Sequence, residues 1–438
     1  MNDPWNPVSS SRSTCPYAGA GAEVGHEAAV PRPSPVSGSG LIPIHGPDFS
    51  ADPQATYTLL RETVGPIAPV EIDHGLTGYL TTTYDAARYL LLNTPSIFAK
   101  DPRHWTALQT GEVSLDIPAV SMMMPRDNAL WMDGIPHQRL RGAITDSLNL
   151  VDTHALASTV TRIADRLIDR FEHRGHFDAI AEYATPLPLQ VLTEIFGCGE
   201  ELGHHIITAL AALFDTSHEA RQANARLEAS CLELTTLKRR HPGPDIASWL
   251  VAHPARLSDK EMGQQLLLPI GAGGTPCSNL IGSTLRYTVR EPGNTTTVFD
   301  GSQSVGEAID AVLWKEPPVP NYSPLYARQA HAYEGVPIEP GKPIMVSFAA
   351  ANSDPAHAPL PHERAGNRAH LAFSAGAHGC PAPALGRIIA QTAVERILDR
   401  LPDLQLACPP EDLVRRPGTF STGWAALPLT TTTPGARP

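Results

Sequence analysis

The chain contains 438 residues, of which 42% are hydrophobic, so it can bury a large core, and its length alone predicts roughly two or three domains. Its net charge of −12 disfavours nonspecific binding of nucleic acid, and no stretch approaches the roughly 18 consecutive apolar residues that a membrane span requires. We therefore predict a cytoplasmic protein that binds neither nucleic acid nor a membrane. Its six cysteines lack CxxC spacing, which argues against a disulfide framework and against a zinc site.

The N-terminal part of the sequence predicts a tail followed by a small α+β region. Prolines cluster near the ends of the chain, and residues 1–40 are predicted to be disordered. Within residues 41–105, the run Tyr79–Thr82 is β-prone. Tyr84–Leu92 has helical apolar spacing, and Thr83 precedes it as a predicted cap.

A large helical region is predicted from Pro136 to about Val289. Apolar residues recur there at spacings of three and four, as in Ala155–Phe171, Pro186–Phe196 and Ile206–Phe214. Ser258 and Glu261 form a capping-box pattern that begins the longest helix of the chain, which runs to the end of this region. Because Pro269 and Pro276 lie inside it together with several glycines, the middle of this helix is predicted to be distorted.

The C-terminal part combines short strands with a long loop. A short helix at Ala308–Trp314 is followed by strand-like pieces around Tyr333–Ile338 and Ile344–Phe348. A loop of about two dozen residues then ends at Cys380, and a helix is predicted for Ala384–Leu398. Loops of this length usually have a function, so the last residue of the loop is a candidate site residue.

Cys380 directly precedes a predicted helix, where the helix dipole and free backbone N–H groups favour the thiolate. A thiolate is the form that binds a soft metal ion, which makes Cys380 a candidate metal ligand. The alternative is a buried structural cysteine. That is the interpretation for the cysteines Cys15, Cys198, Cys231 and Cys408.

The residues around Cys380 form a longer pattern. The segment from Phe373 to Cys380 reads FSAGAHGC, which resembles the haem-binding loop FxxGxHxCxG of the cytochrome P-450 family. The resemblance implies that Phe373 packs beside the sulfur, that Gly376 permits a tight turn and that His378 meets a haem propionate. It also implies that Cys380 is the axial ligand of the iron. The last glycine of the pattern is Ala382 in this sequence.

Two further segments support the resemblance, which extends over nearly all of the chain after residue 40. His137 to Arg141 is similar to the family's HxxxR, in which two cations on one helical face pair with a propionate. Arg328, after Pro324, lies where the family commonly has another propionate-binding arginine. HxxxR alone would usually be a solvated helix face. Here His137, Arg141 and Arg328 all match positions at which the family binds the propionates, so each supports the others.

The resemblance implies a mainly α fold with a small β region (α+β), namely the cytochrome P-450 fold. A single catalytic domain is expected at residues 41–430, between a disordered tail at 1–40 and a flexible tail at 431–438. Haem b, which is iron protoporphyrin IX, is expected between the long central helix and the helix that follows the cysteine loop.

The sequence departs from the family at a motif before the strands. The family's ExxR falls on Ala311 and Trp314, so both of its charges are absent here. Exchanging a whole buried ion pair for apolar packing can be neutral. We therefore expect Trp314 to hold the cysteine loop by packing.

The second departure lies in the central helix, where the family carries AGx(E/D)TT. Residues 272–277 read AGGTPC, which puts Thr275 at the position of the acid and Pro276 at that of the alcohol. Gly273, Thr275 and Cys277 are the candidate catalytic residues. Thr275 and Cys277, with a neighbouring serine, could organise a substitute water chain, or they are ordinary helix residues.

Three functions are compatible with these patterns. The first is a haem-thiolate oxidoreductase, a monooxygenase that hydroxylates or oxidatively tailors a small organic molecule in specialised metabolism, with ferredoxin and ferredoxin reductase as electron donors. The second keeps the haem thiolate but uses peroxide or promotes a coupling, rearrangement or dehydration. The third is a noncatalytic haem-binding partner of another protein.

Two surfaces complete these expectations. A basic docking patch for an acidic ferredoxin is predicted from Arg139, Arg141, Arg387 and Arg396. The predicted substrate pocket draws on His104, Trp105, Met122 to Met124, Phe196, Phe214, Gly273 and Thr275.

Overall fold

The computed structural model describes residues 40–215, 217–289 and 303–431 of the chain. The predicted tails at 1–40 and 431–438 lie outside these residues except for Gly40 and Thr431. The described part is mainly helical with a small β region, which confirms the predicted fold class. None of its helices has the length and apolarity needed to cross a membrane.

Long helices fill the middle of the chain, and short strands lie on either side of them. The α-helices are α1 (Gly46–Ala51), α2 (Pro53–Thr63), α3 (Tyr84–Leu92), α4 (Thr106–Thr110), α5 (Pro118–Met122), α6 (Gly134–Asn149), α7 (Thr153–Ile168), α8 (Pro186–Ile195), α9 (Glu200–Asp215), α10 (Ser217–Arg240), α11 (Ile246–Ala252), α12 (Asp259–Thr288), α13 (Val305–Lys315), α14 (Phe348–Asn352) and α15 (Pro383–Arg400). The β-strands are β1 (Ile42–Pro43), β2 (Ile67–Asp73), β3 (Leu76–Thr81), β4 (Phe98–Ala99), β5 (His176–Asp178), β6 (Asn321–Ala327), β7 (His331–Tyr333), β8 (Val336–Ile338), β9 (Pro343–Ser347), β10 (Gln405–Leu406) and β11 (Pro428–Thr430).

The largest sheet has the strand order β1-β2-β3-β9-β6-β4. Strands β2 and β3 form an antiparallel hairpin, and β3 pairs with β9 in parallel. Three of the four residues of the predicted strand at Tyr79–Thr82 lie in β3, which ends at Thr81. The following helix α3 begins where predicted, and the Thr83 side chain accepts a hydrogen bond from the Ala86 N–H.

Helix α12 is the centre of the helical part and contacts α8, α10, α13 and α15. One buried cluster, which includes Ile163, Ile281 and Val394, joins α7, α12 and α15. A second cluster, with Ile144 and Met262, joins α6 to the first half of α12. Most of the stability of a helix comes from such tertiary packing, so α12 is held from several sides.

The start and length of α12 are as predicted, but its middle is not interrupted. Ser258 and Glu261 form the capping box, and the helix continues for 30 residues through Pro269 and Pro276. The two prolines therefore do not end the helix, and the distortion of its middle stays a prediction. A Cβ at Gly274 would lie 2.6 Å from a Leu189 methyl, so this helix packs closely on α8. Such packing overrides the low helix propensity of proline.

The loop before Cys380 is joined to α13 by side chains that bond to backbone groups. The indole N–H of Trp314 donates to the carbonyl oxygen of Asn367 at 2.9 Å. The Asn352 amide donates to the Leu313 carbonyl at 3.0 Å and accepts from the Leu371 N–H at 2.8 Å. Trp314 is buried, as its predicted packing role requires.

A buried ion pair lies one residue from Ala311. Apolar packing by Trp314 therefore does not act alone in place of the missing ExxR charges, as had been expected. Asp310, whose side chain is 2% exposed, pairs with Arg387 of α15, and Arg368 lies 3.8 Å from the same carboxylate. Arg387 is only 13% exposed, so its predicted place on an exposed docking patch is wrong. The pair ties α13 directly to the helix that follows Cys380.

Helices α7 and α15 are joined by a network of charges at the surface. The Asp165 carboxylate accepts from Arg396 at 2.7 and 3.0 Å and from Arg400 at 2.8 Å. The hydrogen bond from Arg396, together with Arg400, lowers the pKa of Asp165. Arg396 was also assigned to the docking patch, and the structure places its guanidinium on this carboxylate instead.

We expect Trp314→Ala to lower the free energy of unfolding by about 3–5 kcal/mol, because it removes a buried indole and leaves a cavity. Trp314→Phe keeps most of the packing and loses the indole N–H, so about 1 kcal/mol is expected. Urea unfolding of the three proteins measures both effects. Equal stability of the alanine variant and the parent protein would show that Trp314 does not hold the loop.

We expect Asp165→Asn to lower the free energy of unfolding by about 1 kcal/mol near neutral pH. Because the folded-state pKa of Asp165 is lowered from its ordinary value of 3.8, the stabilisation is present above that value and is lost as pH falls through the lowered pKa. Unfolding curves of both proteins at decreasing pH should converge. Asp169→Asn, which removes a single contact with Arg400, is the matched control.

Candidate active site

The end of the cysteine loop is a tight turn fixed by backbone contacts. Gly376 has a φ of +70° and begins a short 3₁₀ turn that ends at His378. A Cβ at Gly376 would lie 2.5 Å from the carbonyl oxygen of Leu91, so only glycine fits there. The Cys380 N–H donates to the carbonyl oxygen of Phe373 at 2.8 Å. Helix α3 and the turn together fix the position of Cys380.

The Cys380 side chain is exposed at the start of α15. Its Sγ accepts a hydrogen bond from the Ala382 N–H at 3.4 Å. Desolvation among the loop atoms raises the pKa of Cys380, and the Ala382 N–H and the Arg141 guanidinium oppose this only in part. The Ala382 N–H at the helix start therefore favours the thiolate, as expected, but desolvation outweighs this effect in the protein alone. A coordinated metal cation would still remove the proton.

Ala382 replaces the last glycine of the cysteine pattern without backbone strain. Its φ of −133° is accessible to any residue. Its N–H faces the sulfur of Cys380, as described above. The loop of this chain therefore does not need a glycine at position 382 for its φ.

Two buried imidazole rings lie together beside the cysteine loop. The ring centroids of His137, on α6, and His378 are 4.1 Å apart. Burial lowers the pKa of His137 to about 4, with further lowering by His378 and Arg141. Among the described residues, His137 Nε2 has no hydrogen-bond partner, and His378 Nε2 has only a long contact, at 3.4 Å, with the Asp133 carboxylate. Such atoms are expected where a ligand completes the site.

Arg141 and Arg328 lie at the same site. Arg141 is half-buried on α6, and its guanidinium donates to Thr145 Oγ1 at 3.1 Å and to the Ala377 carbonyl at 3.4 Å. Arg328 follows β6 and donates to the Pro95 carbonyl at 2.7 Å. The structure thus brings the predicted cations of three separate segments to one region.

Asp133, which sequence reasoning missed, lies among these cations at the N-cap of α6. Its Oδ2 accepts from the Lys100 N–H at 2.9 Å and lies 3.4 Å from the Arg328 guanidinium. Its Oδ1 lies 3.4 Å from the Nε2 of His378. Burial would raise the pKa of Asp133, but His378 and backbone N–H groups hold it below its usual range. An aspartate before a helix with proline in its first turn could have signalled the cap, but not these partners.

Lys100 is a second residue that the sequence did not reveal. Its side chain is fully buried, and its ammonium lies 4.7 Å from the centre of the Trp131 ring. Burial lowers the pKa of Lys100 to about 7, against the effect of Asp133. The Asp133 carboxylate therefore lies among several basic groups.

Some of the candidate residues of α12 are accessible to solvent, and others pack against neighbouring helices. Ala272 is exposed and Thr275 is partly exposed. A Cβ at Gly273 would lie 3.2 Å from Leu192 on α8, so this glycine lies at a helix contact. Cys277 lies between α12 and α15, with its Sγ 3.8 Å from the carbonyl oxygen of Gly386. Burial raises the pKa of Cys277 to about 12.

The other predicted pocket residues have different surroundings. Trp105 and Phe196 are buried in the core, and Met122 is exposed. His104 lies 3.4 Å from the Arg328 guanidinium. The side chain of Phe214 lies outside the described residues.

The chemistry of the site fits a haem. An exposed cysteine sulfur can bind iron, while buried imidazole nitrogens and a nearby guanidinium can bind two carboxylates. The contact of Cys277 with Gly386 brings the central helix next to the helix that follows Cys380. The site residues are therefore of the types, and from the elements, that such a cofactor requires.

Comparison with curated proteins finds bacterial cytochromes P-450. The chain is 29% identical to cytochrome P-450 107B1 of Saccharopolyspora erythraea over 393 residues, which cover 87% of this chain and 95% of the relative. It is also 29% identical to the cytochrome P-450 monooxygenase PikC of Streptomyces venezuelae, over 88% of this chain and 92% of PikC. No protein-family model matches the chain.

Solved structures give the same result. The fold matches CYP154C4 from Streptomyces sp. W2061 with a TM-score of 0.78 at 27% identity, over 86% of this chain and 95% of that one. It matches CYP154A1 from Streptomyces coelicolor with a TM-score of 0.76 at 28% identity, over 87% and 98% of the two chains. The cysteine loop, the fold and these relatives agree, and over most of its length the chain is similar to bacterial cytochromes P-450.

Proposed function

We propose that this protein is a haem b monooxygenase in which Cys380 is the axial ligand of the iron. The observation that carries the proposal is the exposed Cys380 sulfur, presented by a fixed turn beside a group of basic side chains. Haem, when bound, supplies a thiolate-ligated iron that activates oxygen for transfer to a substrate. The chain's own residues hold the cofactor, exclude water and deliver protons.

In this proposal, basic residues from three segments bind the haem propionates. His137 and His378 offer their Nε2 atoms, and Arg141 and Arg328 offer guanidinium groups. Asp133 contacts His378 and Arg328, each at 3.4 Å, and so helps to position both side chains. Gly376 and Phe373 shape the turn around the sulfur.

Proton delivery is the step at which this chain must differ from its family. Thr275 is the partly exposed hydroxyl at the position of the family's acid, and Pro276 has no group that can donate a proton. Cys277 holds its proton too tightly near neutral pH to be a rapid acid. We assign the relay to the Thr275 hydroxyl and to water, with Gly273 as a packing residue.

The substrate is proposed to be a small, largely apolar organic molecule of specialised metabolism. Relatives include the 2-hydroxy-5-methyl-1-naphthoate 7-hydroxylase of Streptomyces carzinostaticus and the 6-deoxyerythronolide B hydroxylase of Saccharopolyspora erythraea. These names describe hydroxylation of polycyclic or macrocyclic carbon skeletons. The accessible Ala272 and the chain's cytochrome P-450 fold are compatible with a substrate of that class.

Ferredoxin and ferredoxin reductase are the proposed electron donors, and a cytoplasmic location follows from that pairing. The docking face must be smaller than the sequence suggested, because Arg387 and Arg396 pair with acidic residues of the chain. Arg139 also pairs with Glu261. Peroxide is the second candidate oxidant, which the missing acid–alcohol pair favours.

We expect the reduced, carbon monoxide-bound protein to show a strongly red-shifted Soret band that Cys380→Ala abolishes. Thiolate donation to iron produces the shift, so a protein without the Cys380 sulfur cannot show it. Absorption spectroscopy of the purified proteins measures it, with Cys408→Ala as the matched cysteine control. A red-shifted band that survives in Cys380→Ala would contradict the assignment of Cys380, and no haem signal at all in the parent protein would contradict haem binding itself.

We expect the double variant Thr275→Asp/Pro276→Thr to raise ferredoxin-supported turnover by about 100-fold, since a positioned general acid contributes about 10²–10⁴. Peroxide-supported turnover should change far less, because peroxide already carries the protons. Product formation with each oxidant measures the two rates, and Pro276→Thr alone is the control. Unchanged ferredoxin-supported turnover would show that Thr275 and water already suffice.

A further inference from the structure

The sheet edge at β1 carries three potential metal ligands that the haem site does not use. His45 precedes α1, Glu71 lies on β2 and His74 lies in the turn between β2 and β3. Their ligand atoms all lie within 4.8 Å of one another. In the strand order of the sheet, β1 and β2 are at the opposite end from β6 and β4, which precede Arg328 and Lys100. The group is therefore separate from the cysteine site.

The distance between His45 and Glu71 already suits a metal. His45 Nε2 lies 3.3 Å from Glu71 Oε1. Two ligands that are each 2.0–2.1 Å from a tetrahedral zinc ion lie about 3.3 Å apart. The side chains are only 11% and 6% exposed, so both groups are largely removed from water.

His74 supplies the third ligand at the open side of the group. Its ring centroid is 4.4 Å from that of His45, with an angle of 75° between the rings. His74 is exposed, so a hydrated ion has access from this side. A shift of register between Glu71 and Asp73 redirects the side chains at the end of β2.

The backbone holds these three residues together. The Ile44 N–H donates to the Glu71 carbonyl at 2.9 Å, and the Thr419 hydroxyl donates to the carbonyls of Ile44 and Ile72. The His74 N–H donates to the Asp73 carboxylate at 2.8 Å, which fixes the turn. Little of the chain needs to move for His74 to approach the other two ligands.

We propose that His45, Glu71 and His74 bind a zinc-class divalent cation, with water in the fourth position. Two imidazoles and one carboxylate are a ligand set that zinc adopts in proteins. The cysteine spacing, which argued against a zinc site, does not bear on a site built from histidine and glutamate. The ion would join the segment after β1 to the β2–β3 turn and so stabilise this edge of the sheet.

The simplest alternative is a hydrogen-bonded pair of His45 and Glu71, to which His74 contributes nothing. The two explanations differ at His74, because only metal binding requires its side chain. His74→Gln is therefore the decisive variant, and its exposed position makes misfolding an improbable cause of any loss. His362→Gln, also at an exposed histidine, is the matched control.

The test is calorimetric titration of the full-length, haem-loaded and chelator-treated protein with zinc chloride. We expect one equivalent to bind, with an affinity at least about tenfold weaker in His74→Gln and His45→Gln, as the loss of groups that shape metal sites produces. Zinc should raise the melting temperature of the parent and of His362→Gln only. The haem absorption spectrum should not change in any variant, which separates this result from that of the cysteine site.

Absence of zinc binding would overturn the proposal. Binding of equal affinity in the parent and in His74→Gln would also overturn it, because the ion would then lie elsewhere. In either case His45 and Glu71 are an ordinary hydrogen-bonded pair.

Discussion

The buried ion pair between Asp310 and Arg387 is the contact on which the geometry of the cysteine site depends. A carboxylate that is 2% exposed is strongly unfavourable without its cation, so the two helices that carry the pair must stay in register. One of these helices is α13, which also holds the preceding loop through Trp314 and Leu313. The other is α15, which begins just after Cys380. The ion pair and these hydrogen bonds therefore couple the positions of the loop, of α15 and of the Cys380 sulfur, although the family's own charged motif is absent.

The opposite side of the site is organised by Asp133, a carboxylate with several basic side chains around it. His137, His378, Arg328 and Lys100 lie around it, and the imidazole pKa values are lowered because both rings are buried. A ligand with two negative charges would reverse that effect, since nearby anions favour the protonated imidazole. The same residues thus explain both why the protein alone holds neutral histidines and why a dicarboxylate cofactor suits the site. Binding and protonation are linked through these rings.

Local patterns in the sequence predicted the elements correctly, whereas contacts between distant segments could not be read from it. Thr83 and Ser258 cap helices because capping depends on the next few residues alone. The tight turn at Gly376 is likewise local. Asp310 and Arg387 are 77 residues apart, and only the packing of α13 on α15 brings them together. The contact between Asp133 and Lys100 likewise joins separate segments and could not be read from the sequence. Helix α12 continues through Pro276 because it packs against other helices, which the sequence also did not reveal. The haem-binding roles rest on the family pattern, and the structure adds their common location.

The chain departs from the family at α13, where the ExxR charges are missing, and at α12, where the acid and the alcohol are missing. Only the second departure limits how protons can reach the site. At α13 the missing motif is structural. Asp310 and Trp314 also hold the cysteine loop and α15 against this helix, but through other contacts. At α12 the lost groups are proton donors, and no neighbouring carboxylate of the helix replaces them between Ala272 and Cys277. A structural contact can be rebuilt from any side chains of suitable shape and charge, but a proton donor needs a group of suitable pKa. A chain with the cysteine pattern but without this acid has fewer protein groups that can deliver protons. That combination is explained most simply by a reaction in which water, the substrate or the oxidant supplies them.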